Sequence, residues 1–593
     1  MAAVKYEQKG WSLEELFPGL GTPEIEQALE KLNSSVAEFE KHREQLAADI
    51  AEKNFVAILQ NYEGIARQIS IVGAFAFLSF AEDTQDQQVQ AFMAQMQQLG
   101  AQIDNRIMFF NLWWKNLDDK AAARLLDASG DYRYWLEALR LQKPYTLSEP
   151  EEKIINLKDV NGTHALVTLY NIITNRYSFQ LEVDGEEKEL SREELTVYYR
   201  DPDPTMREAA YKELYRVYDA DGPILGQIYQ SILRDLRSEG VDLRGYSAPI
   251  ALRNLANDIP DDVVETLLGV CQKNAPLFHR FFQLKARWLG VDRLRRYDIY
   301  APVAQSEKSY TYSDAVAMVL ESFQQFDPRM AELVQRIFDQ NHIDSEVRKG
   351  KRSGAFCSTV TPDLTPWVLQ SYNGTPRSVA TMAHELGHAV HSMLAAHHTK
   401  LTQHASLPLA ETASTFAEML LVDHLLEIEE DPDVRRDILF GQMDDAYATI
   451  MRQAYFAMFE RQAHERVHEG AAVDDLSEIY LDNLKDQFGD SLDLSEDFKF
   501  EWLAIPHFYH TPFYVYAYTF GQLLVLSLYK QYKEEGESFI PRYLDILTAG
   551  GSASPDDILT NAGIDMRKSA FWQGGFDVVK KSLEQLEAIE IRK

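Results

Sequence analysis

The chain has 593 residues, of which 45% are hydrophobic and 25% are charged, and its formal net charge is −33. This length and composition are typical of a soluble globular protein with two or three lobes, and they argue against a disordered chain. The acidic balance argues against nucleic acid as a partner, because binding it needs a basic surface, and it offers no basic patch for anionic lipid.

The cysteines and the first residues bear on the cellular compartment. Cys271 and Cys357 are the two cysteines of the chain, too few for a disulfide framework. The first twenty residues contain no apolar segment of the kind that a secretory signal needs. The apolar stretch 69–81 is shorter than the about 20 residues that cross a bilayer. We therefore expect a cytoplasmic protein with no membrane partner, present as a monomer or a weak homo-oligomer.

The first hundred residues predict helices. Thr22 and Pro23 form an N-cap followed by proline at the first helical position. Apolar residues from Ile25 to Leu46 then recur at helical spacing. We interpret this stripe as a helix that packs on its own domain, with a coiled coil as the alternative.

The pattern between about residues 160 and 200 is that of a β-hairpin. Residues 177–183 alternate in polarity, Asp184-Gly185 is a typical hairpin turn, and a return strand follows. The segment 200–204, which is polar and contains two prolines, predicts a domain boundary.

Helical periodicity dominates again from residue 205 to the end, with two exceptions. Segments 297–303 and 353–374 are interpreted as extended. A small sheet is therefore expected immediately before the segment that carries the most chemical information. Four basic residues precede the second extended segment and are interpreted as a solvated loop, with binding of a peptide carboxylate as the alternative: Arg348, Lys349, Lys351 and Arg352.

A metal-binding pattern lies within the apolar, helix-favouring segment 380–396. His384, Glu385 and His388 form an H-E-x-x-H sequence. Two histidines four positions apart lie on one face of a helix, so both imidazoles can reach one zinc ion. Glu385 is suited to act as a general base and not as a ligand. A helix whose histidines are merely packed or solvated is the alternative.

A catalytic zinc site also needs a third protein ligand and an open position. The metzincin pattern would place glycine at 391 and histidine at 394, but the chain has His391 and Leu394. The remaining candidate is Glu411, in a second helical stretch after the polar loop 397–406. A helix, a loop and an antiparallel helix would return this carboxylate to the histidine pair.

Further polar residues surround this pattern. Glu418 shares a helical face with Glu411, so it is either an acceptor for a ligand imidazole or a solvated glutamate. Four other histidines have spacings that suit a tetrahedral site less well, and we interpret them as surface or loop residues: His391, His397, His398 and His404.

These motifs resemble those of a known family. The sequence HELGHAVH at 384–391, followed by ETASTFAE at 411–418, resembles the thimet oligopeptidase and oligoendopeptidase F group of zinc peptidases. The oligoendopeptidase F branch is the more similar one. The resemblance extends to the segments 350–357, 505–521 and 547–565. It covers most of the chain from about residue 200, and the preceding region more weakly.

The resemblance implies a mainly α fold with two lobes, a deep channel between them, and the zinc helix on the channel floor. It implies one zinc ion per chain, with His384, His388 and Glu411 as ligands and Glu385 as base, the same four residues that the spacing indicates. The expected domains are an N-terminal helical region at 1–113, an oligoendopeptidase-F-like domain with the hairpin at 114–199, and the catalytic domain at 200–593.

The segment 505–521 is dense in side chains with polar tips. Peptide hydrolysis builds negative charge on the carbonyl oxygen, which a hydrogen-bond donor stabilises. Members of the family use histidine and tyrosine here, which implies His507, Tyr514 and Tyr518 for this role. An aromatic core stripe is the alternative.

Two further expectations concern the substrate. Segment 353–357 is expected to be an edge strand to which the peptide backbone adds. Cys357 within it is interpreted as structural.

The sequence thus predicts a zinc-dependent endopeptidase that hydrolyses internal bonds of oligopeptides with Glu385 as general base. The alternatives are a carboxydipeptidase on the same scaffold and a non-catalytic peptide-binding protein.

Overall fold

The structure is a computed structural model that describes residues 5–303 and 308–589. Helices dominate it, and the sheets are small, as predicted from the sequence. The helices before the hairpin are α1 Pro23–Glu40, α2 Glu52–Glu82, α3 Gln87–Asn116, α4 Asp119–Ala128, α5 Arg133–Leu141, α6 Glu149–Asn161 and α7 Thr163–Thr174.

The helices between the hairpin and residue 400 are α8 Arg192–Val197, α9 Pro204–Ala220, α10 Gly222–Arg237, α11 Pro249–Ala256, α12 Asp261–Trp288, α13 Tyr312–Phe326, α14 Pro328–Asp339 and α15 Pro376–Leu394. The remaining helices are α16 Leu407–Ala410, α17 Thr412–Ile428, α18 Pro432–Ala446, α19 Arg452–His468, α20 Val473–Phe488, α21 Pro506–His510, α22 Tyr516–Glu535, α23 Ile540–Thr548, α24 Pro555–Asn561 and α25 Ser569–Glu587.

Three small sheets accompany the described helices. Strands β1 Phe179–Val183 and β2 Glu186–Leu190 form the predicted hairpin, with positive φ at Asp184 and Gly185 as a tight hairpin turn requires. Strands β3 Leu294–Arg295 and β7 Leu492–Asp493 pair in parallel. The third sheet contains β4 Ile343–Asp344, β5 Phe356–Ser358 and β6 Trp367–Leu369, in the order β4-β6-β5.

The expectation of an extended segment at 297–303 is wrong. The strand β3 ends at Arg295, a short 3₁₀ helix covers Arg296–Asp298, and residues 299–303 form no strand. Arg296 and Asp298 are buried by ion pairs with Glu501 and Arg207, respectively. The β-favouring residues here therefore fill a core around these ion pairs instead of pairing in a sheet.

The described chain divides into two compact units, and each is discontinuous in sequence. Unit 1 contains residues 5–144, 308–429 and 528–565, and unit 2 contains residues 145–303, 430–527 and 566–589. The division of the sequence into 1–113, 114–199 and 200–593 stays a prediction.

Unit 1 has two apolar cores that share the long helix α2. Phe55 and Leu59 of α2 belong to one core, and Val72 and Phe75 belong to the other. The second core also includes Trp367 of β6, so α2 packs behind the three-stranded sheet. The length and hydropathy of α2 would allow it to cross a membrane, but such a helix is weak grounds for a span. Its place in both cores accounts for its apolar composition.

The loop between β4 and β5 is fixed by a buried ion cluster. The carboxylate of Asp344 accepts hydrogen bonds from Arg348 and from Lys351, whose Nζ lies 2.8 Å from Oδ1. The side chain of Lys351 is only 1% exposed. The expectation of a solvated loop is therefore wrong for Lys351, because its ammonium group pairs with the buried carboxylate of Asp344 in β4.

Candidate metal centre

Helix α15 presents His384, Glu385 and His388. It begins with Pro376 after Thr375, whose side-chain oxygen accepts a hydrogen bond from the backbone N–H of Ser378. This N-cap and the proline at the first helical position fix where the helix begins. The two histidine rings lie with their centroids 4.8 Å apart and nearly perpendicular to each other.

Gly387 allows α17 to pack closely against α15 in the turn between the two histidines. A Cβ atom at this position would lie 2.7 Å from the carbonyl oxygen of Ala413 and 2.7 Å from the Cα of Ser414. This contact is the packing reason for a glycine inside a helix that would otherwise favour alanine. It also places Glu411, just before α17, beside the histidines.

The three side chains expected to bind the metal form one group in unit 1. The Oε2 atom of Glu411 lies 3.4 Å from Nε2 of His384 and 3.4 Å from Nε2 of His388. The three ligand atoms lie within 4.8 Å of one another. Ser414 holds the carboxylate in place, because its hydroxyl donates to Oε2 of Glu411 at 2.7 Å.

The spacing of these atoms fits a zinc ion. In a tetrahedral site with ligand distances of about 2.0–2.1 Å, neighbouring ligand atoms lie about 3.3–3.4 Å apart. Two of the three separations match this value. Two imidazoles and one carboxylate also leave a fourth position open, which a catalytic site needs.

Glu418 contacts the first histidine, as one of the two sequence interpretations expects. Its Oε1 lies 2.5 Å from Nδ1 of His384. Burial opposes a charged imidazole, but this hydrogen bond and the surrounding carboxylates raise the pKa of His384 to about 9. The bond fixes the proton on Nδ1 and leaves Nε2 free as a ligand atom.

Glu385 is buried one residue after the first histidine, with 6% of its surface exposed. Burial, aided by the charges of Glu411 and Glu418, raises the pKa of its carboxyl group to about 7, against the opposing effect of His384. A divalent cation at the three ligands would counteract the effect of these two carboxylates. Burial, the largest cause of the raised pKa, does not depend on these charges, and a raised pKa suits a group that accepts and returns a proton.

Strand β5 lies at the edge of the three-stranded sheet, which was expected for segment 353–357. Its residues Phe356–Ser358 pair with β6 on one side only, within the described residues. Gly354, just before the strand, has a φ of 86°, a conformation that glycine adopts readily. Burial raises the pKa of the Cys357 thiol well above its ordinary value, which suits the structural role assigned to it.

A cavity of 380 Å³ connects the metal-binding group to the loop 397–406. Its lining includes His384, Glu385 and His388 at one end and Gln403 and His404 at the other.

His391 also lines this cavity, and the expectation that it is a surface residue is wrong. It is only 8% exposed, because it lies one helical turn after His388 and a hydrogen bond to the backbone of Ala410 accompanies its burial. The sequence does indicate that His391 faces the site, because residues three positions apart, such as His388 and His391, lie on the same face of a helix.

Comparisons with known proteins identify the family. The sequence model of peptidase family M3 matches residues 197–578, and that of oligopeptidase F matches residues 113–179. The chain belongs to peptidase family M3. The peptidases of this family are metallopeptidases, and the His384, His388 and Glu411 group could hold their metal.

Two relatives show how far the similarity of this M3 peptidase extends. It is 29% identical to the group B oligopeptidase PepB of Streptococcus agalactiae, over 88% of each chain. It is 27% identical to an oligoendopeptidase F homolog of Borreliella burgdorferi, over 98% of each chain. The family and these relatives support a peptidase that cuts within peptides.

A solved structure shares the mainly α fold. The oligoendopeptidase F of Enterococcus faecium superimposes with a TM-score of 0.70 at 24% identity, over 95% of this chain and 99% of that chain.

The other three residues expected to act in this M3 peptidase lie in unit 2 and contact one another. The ring planes of His507 and Tyr514 are nearly parallel, with centroids 5.9 Å apart. Tyr518 stands perpendicular to both rings, and its hydroxyl lies 3.5 Å from Nε2 of His507. Tyr514 precedes α22 and lies in a turn, whereas Tyr518 is in the first turn of the helix. Their role in hydrolysis stays a prediction.

Proposed function

We propose that this M3 peptidase is a cytoplasmic, zinc-dependent endopeptidase that hydrolyses internal bonds of oligopeptides. The observation that carries the proposal is the convergence of His384, His388 and Glu411, with Oε2 of Glu411 3.4 Å from both Nε2 atoms, beside the buried carboxyl group of Glu385. A zinc ion held by these three residues would supply Lewis acidity to the hydrolysis.

The side chains of the protein have separate tasks in this mechanism. Glu385 accepts the proton of the attacking water and later donates it to the leaving amine. Glu418 keeps the His384 ring oriented through Nδ1. The free edge of β5 can pair with an extended peptide backbone, which aligns the scissile bond independently of the side chains of the substrate.

His507, Tyr514 and Tyr518 are assigned to stabilising the negative charge that develops on the carbonyl oxygen. Tyrosine hydroxyls and imidazole N–H groups are suitable donors for this purpose, and three of them converge within unit 2.

The proposal is tested by mass spectrometry of a defined mixture of peptides of 5–30 residues, incubated with and without a zinc chelator. Internal cuts that the chelator abolishes support the endopeptidase. Release of C-terminal dipeptides alone, with amidated peptides refused, would favour a carboxydipeptidase. No cleavage by protein that contains stoichiometric zinc would favour a peptide-binding protein.

Glu385→Gln tests the assigned base in the same assay. We expect zinc content to be unchanged and kcat to fall by about 10²–10⁴-fold, because the amide cannot accept the proton. Glu26→Gln, an exposed position on α1, is the matched control and should leave both quantities unchanged. Substantial residual turnover in Glu385→Gln would contradict the role of this carboxylate.

A further inference from the structure

The cavity beside the metal-binding group has a polar end that the proposed mechanism does not use. It extends along α15 from His388 to His391 and Ser392, and the loop residues Gln403 and His404 close it. Its volume of 380 Å³ is at the lower limit of ligand pockets, which are about 300–1,000 Å³. It therefore has room for one side chain or the end of a short peptide.

The hydrogen bond between Lys400 and His404 determines the chemistry of this end. Nζ of Lys400 lies 3.3 Å from Nε2 of His404. An ammonium group can only donate, so Nε2 is the acceptor and the imidazole carries its proton on Nδ1. Surrounding protein and the Lys400 charge lower the pKa of His404 to about 4, consistent with a neutral ring. His404 is an exposed residue of the cavity lining that offers Nδ1–H as a donor, and the positive charge of Lys400 lies at its other ring nitrogen.

The backbone N–H of Lys400 donates to Oε1 of Glu63 at 2.9 Å, but its ammonium group has no carboxylate partner among the residues that the structure describes. No carboxylate oxygen lies within ion-pair distance of its Nζ, although the chain carries a net charge of −33. Burial, together with the charge of Arg67, lowers the pKa of Lys400 to about 8, so most of the side chain remains charged at neutral pH. An anionic ligand would stabilise a half-buried ammonium group that has no carboxylate partner.

Three basic residues near the sheet have carboxylate partners of their own. Arg348 and Lys351 both bind Asp344, and Arg67 binds Asp363. Arg352 lies over the rings of Phe77 and Phe356. Lys400 differs from all of these residues because its ammonium group contacts an imidazole that lines the cavity.

We propose that this cavity is a substrate subsite that binds a carboxylate group through His404 and Lys400. The proposal rests on the proposed endopeptidase function and names its substrate class. The carboxylate belongs either to an aspartate or glutamate that flanks the scissile bond, or to the free C-terminus of a short peptide. Substrates with lysine or arginine at this position are disfavoured by the charge of Lys400.

A matched set of peptides distinguishes the two sources of the carboxylate. One arm varies a single internal residue next to the scissile bond among glutamate, glutamine, leucine and lysine, in peptides that are acetylated and amidated. The other arm compares free-acid and amidated forms of a short leucine peptide, with the C-terminus several residues after the scissile bond so that the cut remains internal. We expect kcat/KM to differ by at least about 10-fold in one of the two arms, which corresponds to about 1.4 kcal/mol. In the first arm the glutamate peptide should exceed the glutamine peptide. In the second arm the free acid should exceed the amide.

Lys400→Glu should reverse this ranking, so that the lysine peptide becomes the better substrate. Lys400→Met and His404→Leu should each bring the ratio close to one, and they cover the case in which the charge reversal fails to fold. Lys31→Glu, an exposed lysine on α1 of the same unit, changes the net charge equally and should leave the ratio unaltered. A ratio between two substrates of one variant is insensitive to the fraction of folded protein.

The outcomes separate this subsite from the proposed function. Chelator-sensitive cleavage with a ranking that Lys400→Glu, Lys400→Met and His404→Leu all leave unaltered would overturn the subsite and leave the endopeptidase intact. A wild-type enzyme that does not prefer the carboxylate in either arm would also overturn it. If the zinc-loaded protein cleaves no peptide at all, both the function and the subsite are wrong.

Discussion

The two ring nitrogens of His384 have different partners, and these contacts orient the imidazole. Nδ1 bonds to Glu418, whereas Nε2 faces Glu411 and His388. Without Glu418 the ring could exchange its proton between the two nitrogens and rotate. An outer carboxylate of this kind also increases the basicity of the imidazole toward a metal.

Glu418→Ala should therefore weaken zinc binding by about 10–100-fold, the usual effect of losing such a carboxylate. Glu418→Gln keeps an acceptor oxygen for Nδ1–H but loses the charge, so it should fall between the wild type and the alanine variant. Competition with a chromophoric chelator gives the affinities. Equal affinities for all three proteins would mean that Glu418 does not support the ligand.

At the scale of elements, the approach of α17 to α15 depends on a single glycine. Gly387→Ala would place a Cβ atom 2.7 Å from two backbone atoms of α17, which cannot move as a flexible side chain could. We expect a loss of about 1–3 kcal/mol in the free energy of unfolding and a lower zinc affinity, because Glu411 moves with α17.

Gly73→Ala, in the middle of α2, is the matched control. Apart from its chain neighbours and the backbone of its own helix, nothing lies within 4 Å of the added Cβ, so alanine should stabilise the helix by up to about 1 kcal/mol. Denaturant unfolding of both variants tests the pair. Destabilisation by both substitutions, to the same extent, would contradict the role of the α15–α17 contact.

The turn between α21 and α22 depends on a buried carboxyl group of unit 2. Phe513 has a φ of 59°, which is unfavourable for a residue with a side chain, and its N–H donates to Oε1 of Glu460 at 2.8 Å. Glu460 is 1% exposed. Burial raises its pKa to about 8, although the Phe513 N–H and Arg253 oppose the shift.

This raised pKa predicts a pH dependence of stability. Between the ordinary pKa of 4.5 and about 8 the folded protein binds more protons at Glu460 than the unfolded chain, so stability falls as the pH rises through this window. The slope is at most about 1.4 kcal/mol per pH unit. Glu460→Gln keeps the acceptor oxygen and cannot ionise. The variant should match the wild type at pH 5 and exceed it in unfolding midpoint at pH 8; an equal difference at both pH values would contradict the assignment.

The sequence could predict the elements that are determined by residues close to one another in the chain. The β-hairpin and the start of α1 depend on neighbours in the chain, namely the Asp184-Gly185 turn and the Thr22-Pro23 pair, and both formed where expected. The grouping of His384, His388 and Glu411 followed from helix periodicity and one short loop.

Long-range partners explain what could not be predicted. The burial of Lys351 requires Asp344, and the burial of Arg296 requires Glu501, about two hundred residues later. The polar end of the cavity depends on His404 and its contact with Lys400, and both look like ordinary loop residues until the fold places His391 and His404 in one cavity. No pattern of spacing identifies such pairs.

At the scale of the whole molecule, the metal-binding group and the C-terminal aromatic group belong to different compact units. All three proposed ligands, Glu385 and the cavity lie in unit 1, whereas His507, Tyr514 and Tyr518 lie in unit 2. Each unit takes three separate segments of the chain, and each has its own buried core. Zinc should therefore act directly on the stability of only one of them.

Removal of zinc should loosen unit 1 selectively. A ligand that binds only the folded state stabilises it by RT ln(1 + [L]/Kd), which is about 4 kcal/mol when zinc is present at about 1,000 times its Kd. Hydrogen exchange followed by mass spectrometry can read the two units separately. With a chelator, peptides from α15 and α17 should exchange faster, and peptides from α20 should be unchanged. Faster exchange of equal extent in both units would instead mean that they unfold as one cooperative body, in which the loss of zinc from unit 1 destabilises unit 2 as well.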